Sequence, residues 1–203
     1  MTARPASTRH RAPLSFAVAT ERDAAAISAL LNAAADHLTS VHGRGPWSGQ
    51  TSERGVVLGI APPVAGVRRS VTSRVLIAYE PRRRRRIIGT LRLATKKPWA
   101  IDVSYFTPVP RALYLTAMAV EPSLQSQGIG RRLIAEAVRL AREFPAVPPA
   151  QAIRLDAYDT SDARSGPHGS GAGAETFYAR AGFREVARVP YRGTPLVYFE
   201  KLL

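Results

Sequence analysis

One apolar run constrains the fold more than any other segment. Residues 113–120 read LYLTAMAV and are continuously apolar apart from Tyr114 and Thr116. A run of this kind is typical of a central strand that is covered on both faces. Helices on both sides of a sheet provide such cover. The sequence therefore predicts an α/β fold built around a strand at residues 113–120.

A glycine-containing turn and an amphipathic helix follow this strand. The turn at residues 125–130 reads QSQGIG, and the helix is predicted from about residue 130 to 144, ended by Pro145. Glycines permit backbone conformations that a side chain would block, and the amides of a first helical turn have no intrahelical partners. With the positive end of the helix dipole, these amides form a pocket for a pyrophosphate. Arg131 and Arg132 would add positive charge at its rim.

The remaining segments alternate between strand and helix patterns. Thr20 and Asp23 have capping-box spacing before a helical period that extends to Leu38, and a third helix is predicted at residues 172–181, closed by Gly182. Further strands are predicted at residues 16–18, 74–79, 87–93, 153–158, 184–189 and 195–201.

Two long segments lack periodic patterns. Residues 43–73 are predicted as mostly loop, with one short strand possible at residues 56–60, and residues 96–111 form a second loop. Long loops of this sort often shape a binding site.

Composition excludes several classes of protein. With 203 residues, 45% apolar and 22% charged, the chain is expected to fold as one domain over residues 14–203, after a disordered basic tail at residues 1–13. No run approaches the length of a membrane helix, so no membrane partner is expected. The absence of cysteine excludes disulfides and thiolate nucleophiles and favours a cytoplasmic location. The four histidines are scattered, so no metal site is expected.

The chain is strongly basic. Lys and Arg total 29 against 15 acidic residues, a formal net charge of +14, and all but three of the cations are arginines. Such a charge attracts nucleic acid, ribosomes or phosphate-rich cofactors. GC-rich coding explains the same composition, and we give it more weight. The block at residues 82–86 is expected on a hairpin loop, as either a solvated turn or a contact for a polyanion.

A second specific pattern lies near the C-terminus. Residues 177–183 read FYARAGF, where a helix ends at Gly182 and a strand begins at Phe183. At this point the chain resembles the GCN5-related N-acetyltransferase (GNAT) superfamily. Residues 115–130 look like its acetyl-CoA signature, and residues 177–183 look like its C-terminal element. The resemblance implies a mixed sheet of about six or seven strands, splayed near Val120, and an N-acetyltransferase that uses acetyl-CoA.

The resemblance implies a cofactor role for two adjacent segments. Backbone groups at the end of the central strand would line the pantetheine, and main-chain amides of the turn would hold the pyrophosphate. The cofactor-binding residues expected on this basis are Met118, Ala119, Val120, Gln125, Ser126, Gln127, Gly128, Ile129, Gly130 and Arg131.

It also implies catalytic roles. Tyr178 would act as general acid toward the departing CoA thiolate, although a packed core tyrosine is the alternative. Asp156 matches in place the acid that some relatives use as base, or else it is a structural partner of Arg154 or another strand arginine. Asp102 and Glu80 are weaker candidates for the base, and Glu121 is not expected to serve.

The acceptor surface is expected from the first helix and from two loops. It would include Trp47 in residues 42–50, and Trp99, Asp102, Tyr105 and Phe106 in residues 99–110. These aromatic residues favour part-apolar amines, or they form packing lids. The partner would be a small-molecule or macromolecular amine, with nucleic acid possible but not favoured, and the protein a monomer or homodimer. The positive charge mildly favours acceptors that carry phosphate or carboxylate.

Two features leave the function open. Many relatives carry a cofactor-contacting asparagine seven residues before the tyrosine, where this chain has Gly171, and main-chain contacts would have to replace it. A non-catalytic CoA-binding sensor, or an RNA- or ribosome-associated basic protein, is the alternative on the same fold.

Direct attack of the amine is expected, since no cysteine is present to form an acyl-enzyme.

Overall fold

The computed structural model describes residues 13–42, 50–60, 71–83, 85–159 and 173–203, with the backbone alone for residues 41 and 42. The basic tail expected at residues 1–13 therefore lies outside the described residues except for Pro13. The described strands and helices are, in chain order, β1 (Ser15–Val18), α1 (Ala24–His42), α2 (Glu53–Ile60), β2 (Ser73–Glu80), β3 (Arg86–Ala94), β4 (Ala112–Val120), α3 (Ile129–Arg142), β5 (Ala152–Tyr158), α4 (Ala174–Arg180), β6 (Arg184–Tyr191) and β7 (Thr194–Leu202).

The strands form one mixed sheet, in the order β1-β2-β3-β4-β5-β7-β6. All neighbouring strands are antiparallel except β4 and β5, which are parallel. Parallel neighbours need a crossover connection, and α3 supplies it between β4 and β5. The predicted α/β fold with about six or seven strands is confirmed.

Helices pack on both faces of the sheet. On one face, here called the α3 face, residues of α3 such as Leu133 join Leu91 and Leu113 in the largest apolar cluster. On the other, the α1 face, Ile27 of α1 and Val56 of α2 pack against Ile77 of β2. Because side chains alternate along a strand, each residue of the sheet can be assigned to one of these faces.

The sheet opens between β4 and β5. The two strands pair only at Ala112–Ala152, Leu113–Ile153 and Tyr114–Arg154, so the splay begins after Tyr114 and continues toward Val120. On its other edge β4 has a bulge, because the register against β3 shifts between the pairs Ala119–Thr90 and Thr116–Arg92. Ala117 lies in this bulge in the left-handed region, with φ of 50°. Bulges of this kind bend a strand and redirect its neighbouring side chains.

Most predicted elements are confirmed, and one is wrong. The strand considered possible at residues 56–60 belongs to α2. Ser52 accepts a hydrogen bond from the Gly55 amide at 3.1 Å and caps the helix, while Val56 and Gly59 are buried at helical spacing. A short apolar run does not distinguish a strand from a buried helix, which explains the error. The rest of the predicted loop is outside the described residues at 43–49 and 61–70.

None of the described helices combines the length and the apolar character that crossing a membrane requires.

A buried ionic network ties the loop at residues 96–111 to the sheet. The Glu200 carboxylate, on a residue only 2% exposed, accepts hydrogen bonds from Arg154 Nε at 3.1 Å, Thr107 Oγ1 at 2.6 Å and Arg184 Nη2 at 3.2 Å. Burial by itself would raise the pKa of Glu200, but the hydrogen bonds from Thr107 and Arg154 lower it below its ordinary value.

We predict that Glu200→Gln destabilises the fold by about 3 kcal/mol, because the buried Arg154 guanidinium would lose its counter-charge. Urea unfolding at neutral pH measures this loss. The matched control is Glu185→Gln, whose exposed carboxylate pairs with Arg188 at 2.8 Å and should change stability by about 0.5 kcal/mol or less.

The same pair of variants has a defined pH dependence. Because the folded-state pKa of Glu200 is lowered, its contribution is present above the ordinary value of 4.5 and is lost as the pH falls through the folded-state pKa. The stability gap between the native chain and Glu200→Gln should therefore close in acid. A loss no larger than that of the control would contradict a stabilising role for the network.

Candidate active site

The turn between β4 and α3 has the backbone form that its sequence predicts. Ser126 and Gly128 adopt positive φ of 61° and 80°, and Gly128 directly precedes α3. The intrahelical ladder begins with the Arg132 amide, which donates to Gly128 O at 3.1 Å. The preceding amides of the first turn have no such partner. This geometry can receive an anion, and Arg131 is exposed beside it.

Arg132 is directed elsewhere. Its guanidinium carbon lies 5.3 Å from the centre of the Phe16 ring, and Nη2 donates to Leu14 O at 3.4 Å. Of the two arginines expected at the rim, Arg132 therefore directs its side chain to the N-terminal segment and not to the turn.

Gly130 marks a close approach between α3 and α4. A Cβ atom at this position would lie 3.1 Å from Cε2 of Phe177 and 3.3 Å from Cε of Met118. Such distances are too short for ordinary contact, so a side chain here would displace one of these neighbours. The first turn of α3 is thus held against the two residues that border the splay.

The splay leaves one edge of β4 unpaired. From Leu115 onward β4 has hydrogen-bonded neighbours only in β3, so the backbone at Met118, Ala119 and Val120 has no strand partner on the side of β5. An unpaired strand edge can bind an extended ligand through main-chain hydrogen bonds. The two amides of a pantetheine arm have the donors and acceptors for this edge. The adjoining turn suits the pyrophosphate of a coenzyme A molecule.

Tyr178 borders the splay from the α3 face. It is 9% exposed and packs with Phe177, Phe183 and Phe199 at ring-centroid distances of 5.1 to 5.7 Å. Its hydroxyl donates to Met118 Sδ at 3.7 Å. Burial, and secondarily the charge of Asp156, raises the pKa of the phenol above its ordinary value. Tyr178 therefore keeps its proton at neutral pH and remains a hydrogen-bond donor.

Asp156 borders the splay from the α1 face. It alternates with Leu155, which belongs to the core of the α3 face, and it pairs in register with Tyr198 of β7. Burial raises the pKa of its carboxyl group. Arg154 pairs with Glu200 instead, and Asp156 forms no ion pair with any arginine that the structure describes. The half-buried carboxylate is thus not neutralised by a neighbouring cation.

The other acidic candidates have local partners. Asp102 is exposed and accepts hydrogen bonds from the Ser104 amide at 3.0 Å and hydroxyl at 2.8 Å, which lower its pKa. Glu80 lies 3.7 Å from Arg86, and Glu121 pairs with the same arginine. Asp102 thus caps a turn, and Glu80 and Glu121 both pair with Arg86 of the β2–β3 hairpin. Asp156, in contrast, faces the splay.

Three of the predicted acceptor residues share one groove. A cavity of about 440 Å³ is lined by Trp99, Asp102 and Tyr105 together with Tyr191 and Tyr198. Trp99 is 71% exposed and contacts the Tyr191 ring edge-on at 5.7 Å.

Phe106 and Trp47 do not add to this groove. Phe106 is buried and stacks on Tyr198 at 5.4 Å, so it supports the groove from beneath. Trp47 lies outside the described residues, as does Gly171.

The arginine block lies on the predicted β2–β3 hairpin turn, and three of its described members lie close to acids of this chain. Arg85 pairs with Asp23 at 3.2 Å, and Arg86 pairs with Glu121. Arg83 lies 3.9 Å from Glu80, and Arg84 is outside the described residues. These contacts favour the solvated-turn interpretation over a contact for a polyanion.

Sequence reasoning missed two residues near the splay, Tyr198 and Arg92. Each appears in the sequence as one residue of an apolar strand, with no motif around it. Only strand register shows that Tyr198 adjoins Asp156 and that Arg92 adjoins Thr116 beside the opening. The alternation of side chains along a strand could have assigned Tyr198 and Arg92 each to a face of the sheet. It could not have shown that both lie near the splay.

Comparison with known families identifies the fold and its class of chemistry. The sequence profile described as acetyltransferase (GNAT) domain matches residues 72–185. The chain therefore belongs to the GNAT family of acetyltransferases, as the two sequence motifs indicate. A search of curated proteins found no significant match.

Solved structures show the same fold. A Salmonella typhimurium protein, yncA, solved with its cofactor acetyl-CoA, is 17% identical with a TM-score of 0.62, and the match covers 94% of each chain. NAA60 of Arabidopsis thaliana in complex with acetyl-CoA is 13% identical with a TM-score of 0.62, covering 94% of this chain and 99% of that one. Ribosomal-protein-alanine N-acetyltransferase of Brucella melitensis is 18% identical with a TM-score of 0.63, covering 93% and 99%.

We predict that Gly130→Ala weakens coenzyme A binding about tenfold, because the added methyl group would displace Phe177 or Met118 at the splay. Isothermal titration calorimetry with coenzyme A measures the dissociation constant. Gly55→Ala is the matched control, since Gly55 is also in a first helical turn and its Cβ would meet only Ser52 Oγ at 3.3 Å. Equal affinities for the two variants would remove Gly130 from the binding site.

Proposed function

We propose that this protein transfers the acetyl group of acetyl-CoA to a primary amine by direct attack. One observation carries the proposal: a protonated phenol and a carboxylate border the same opening in the sheet from opposite faces, and no described residue forms an ion pair with that carboxylate. The phenol is that of Tyr178 and the carboxylate is that of Asp156. Membership of the GNAT family supports acetyl transfer as the class of reaction.

The donor would bind along the unpaired edge of β4. Two structures of the same fold are solved with acetyl-CoA, and the residues present here suit that molecule. Main-chain groups of Met118, Ala119 and Val120 would bind the pantetheine, and the turn at residues 125–130 would bind the pyrophosphate. When bound, acetyl-CoA supplies an acetyl thioester whose carbonyl carbon accepts a nucleophile.

Asp156 is the proposed base. An amine is cationic at neutral pH and must lose a proton before its nitrogen can attack a carbonyl carbon. A carboxylate whose pKa is raised by burial accepts a proton more readily than an exposed one. Since no described arginine neutralises it, Asp156 can attract the ammonium group and then take its proton, directly or through a water.

Tyr178 is the proposed acid. As the new carbon–nitrogen bond forms and the carbon–sulfur bond breaks, negative charge develops on the sulfur of coenzyme A. The Tyr178 hydroxyl already donates to a sulfur atom, that of Met118 beside the splay, and this contact supports the proposed role. Donation to the departing sulfur would stabilise that charge. The chain has no cysteine, so no thioester enzyme intermediate forms on a cysteine.

We predict that Tyr178→Phe lowers kcat about 10²-fold or more while leaving the affinity for coenzyme A unchanged, because the ring still packs and only the proton is lost. Steady-state kinetics with acetyl-CoA and a pool of primary amines measures both quantities. Tyr114→Phe is the control, since Tyr114 is a buried tyrosine of β4. Turnover unaffected by Tyr178→Phe would refute its assignment as the acid. No turnover by the native chain, with coenzyme A bound, would instead favour a CoA sensor.

A second prediction concerns pH. Because burial raises the pKa of Asp156 above its ordinary value of 3.8, kcat/KM should rise with pH along an acid limb that lies above that value. Asp156→Asn should lower kcat/KM about 10²-fold and abolish this limb, whereas Asp102→Asn should preserve it. A limb that persists in Asp156→Asn would mean that another group accepts the proton.

A further inference from the structure

Arg92, on β3, is a half-buried arginine without a partner among the described residues. Its Nε is buried and makes no hydrogen bond, and no described acid lies within ion-pair distance. Its guanidinium packs beneath α2, where a Cβ on Gly59 would be 3.5 Å from its Cζ, Nε and Nη1. Burial lowers the pKa of Arg92, and no carboxylate offsets this effect.

Two other arginines of the sheet have acidic partners. Arg154, also buried, has Glu200 at 3.1 Å, and Arg188 of β6 has Asp159 at 2.8 Å. Removing a cation from water is costly unless an anion or hydrogen-bond acceptors replace the lost hydration. An anion from outside the chain would complete the surroundings of Arg92 in the same way.

Strand register places Arg92 beside the splay. Arg92 pairs with Val75 and with Thr116, and Val75 belongs to the core of the α1 face, so Arg92 also points to that face. Tyr114 is the last residue of β4 to pair with β5, opposite Arg154. Two residues further along each strand, Thr116 and Asp156 would be the next pair on this face if the strands did not part.

Arg92 and Asp156 therefore lie on the same face of the sheet, on either side of the opening, with Thr116 between them. Neighbouring strands are about 4.8 Å apart, so Arg92 is one strand spacing from the edge of the splay. An acceptor with its amine at Asp156 and an anionic substituent at Arg92 would span these two positions across Thr116.

Resting on the proposed function, we propose that the acceptor is a primary amine that also carries an anionic group, a carboxylate or a phosphate. Asp156 binds the ammonium group of the acceptor, and Arg92 binds its anionic group. Both half-buried charges beside the splay then have an opposite charge as partner. Guanidinium forms paired hydrogen bonds with carboxylate and phosphate oxygens, which would fix the amine relative to the splay.

Matched acceptors test this specificity. Phenylalanine and its carboxamide differ in the carboxylate, and O-phosphoethanolamine and ethanolamine differ in the phosphate. We expect the native protein to acetylate the anionic member of at least one pair with kcat/KM at least tenfold higher, and the pair that shows the preference identifies the anion.

Variants assign the preference to Arg92. Arg92→Met should abolish it by lowering kcat/KM for the anionic amine at least tenfold, with little change for its neutral counterpart, and Arg92→Lys should retain part of it. Arg74→Gln is the matched control, because Arg74 is a half-buried arginine of the adjacent strand β2 that points to the α3 face. It should keep the full preference.

A stability measurement separates recognition from a structural role. If Arg92 serves an external anion, Arg92→Met should have an unchanged or higher Tm without ligand, because an uncompensated charge is removed. With coenzyme A present, the preferred anionic amine should raise the Tm of the native chain and not that of Arg92→Met.

The outcomes separate the anion site at Arg92 from acetyl transfer itself. Equal acetylation of anionic and neutral amines by the native chain, or an equal loss for both in Arg92→Met, overturns the anion site and leaves acetyl transfer intact. Acetylation of neither member of any pair, without a shift in Tm, also overturns the anion site. The proposed function itself fails only if no primary amine of a wider pool is acetylated.

Discussion

The separation of β4 from β5 after the Tyr114–Arg154 pair produces both the unpaired strand edge and the opening beside it. A strand inside a sheet normally satisfies its backbone groups on both edges, and beyond Tyr114 β4 does so only on the edge that faces β3. The other edge becomes a set of donors and acceptors for a ligand. The turn between β4 and α3 begins just beyond the end of β4. It adds backbone amides without intrahelical partners to the same opening.

The opening also brings together groups that a closed sheet would separate. Tyr178 belongs to the α3 face and Asp156 to the α1 face, yet the charge of Asp156 raises the pKa of the Tyr178 phenol. An acid and a base on opposite faces suit a reaction in which donor and acceptor enter from opposite sides. The groove beside Tyr198 and the Arg92 guanidinium, which has no ion-pair partner among the described residues, both lie on the face of Asp156, the proposed base.

The sequence predicted those features that depend on local chemistry. The apolar run of β4, the turn at Gly128 and the helix end at Gly182 have conformational requirements that their residues reveal, and each is observed. Features that depend on strand register could not be predicted. The bulge at Ala117 has no glycine to signal it, and α2 has an apolar run that a strand would also show. Which arginine pairs with Glu200 and which remains unpartnered is decided by packing between strands distant in sequence.

The unpaired edge of β4 and the turn before α3 are the proposed coenzyme A site. The most direct measurement is a ¹⁵N-resolved NMR titration of the full chain with coenzyme A, following each assigned backbone amide. We expect saturable shifts concentrated at residues 117–120 and 126–131, with smaller changes in α1 and β6. Saturable binding that leaves both of those segments unshifted, or the absence of any shift at millimolar coenzyme A, would contradict this site.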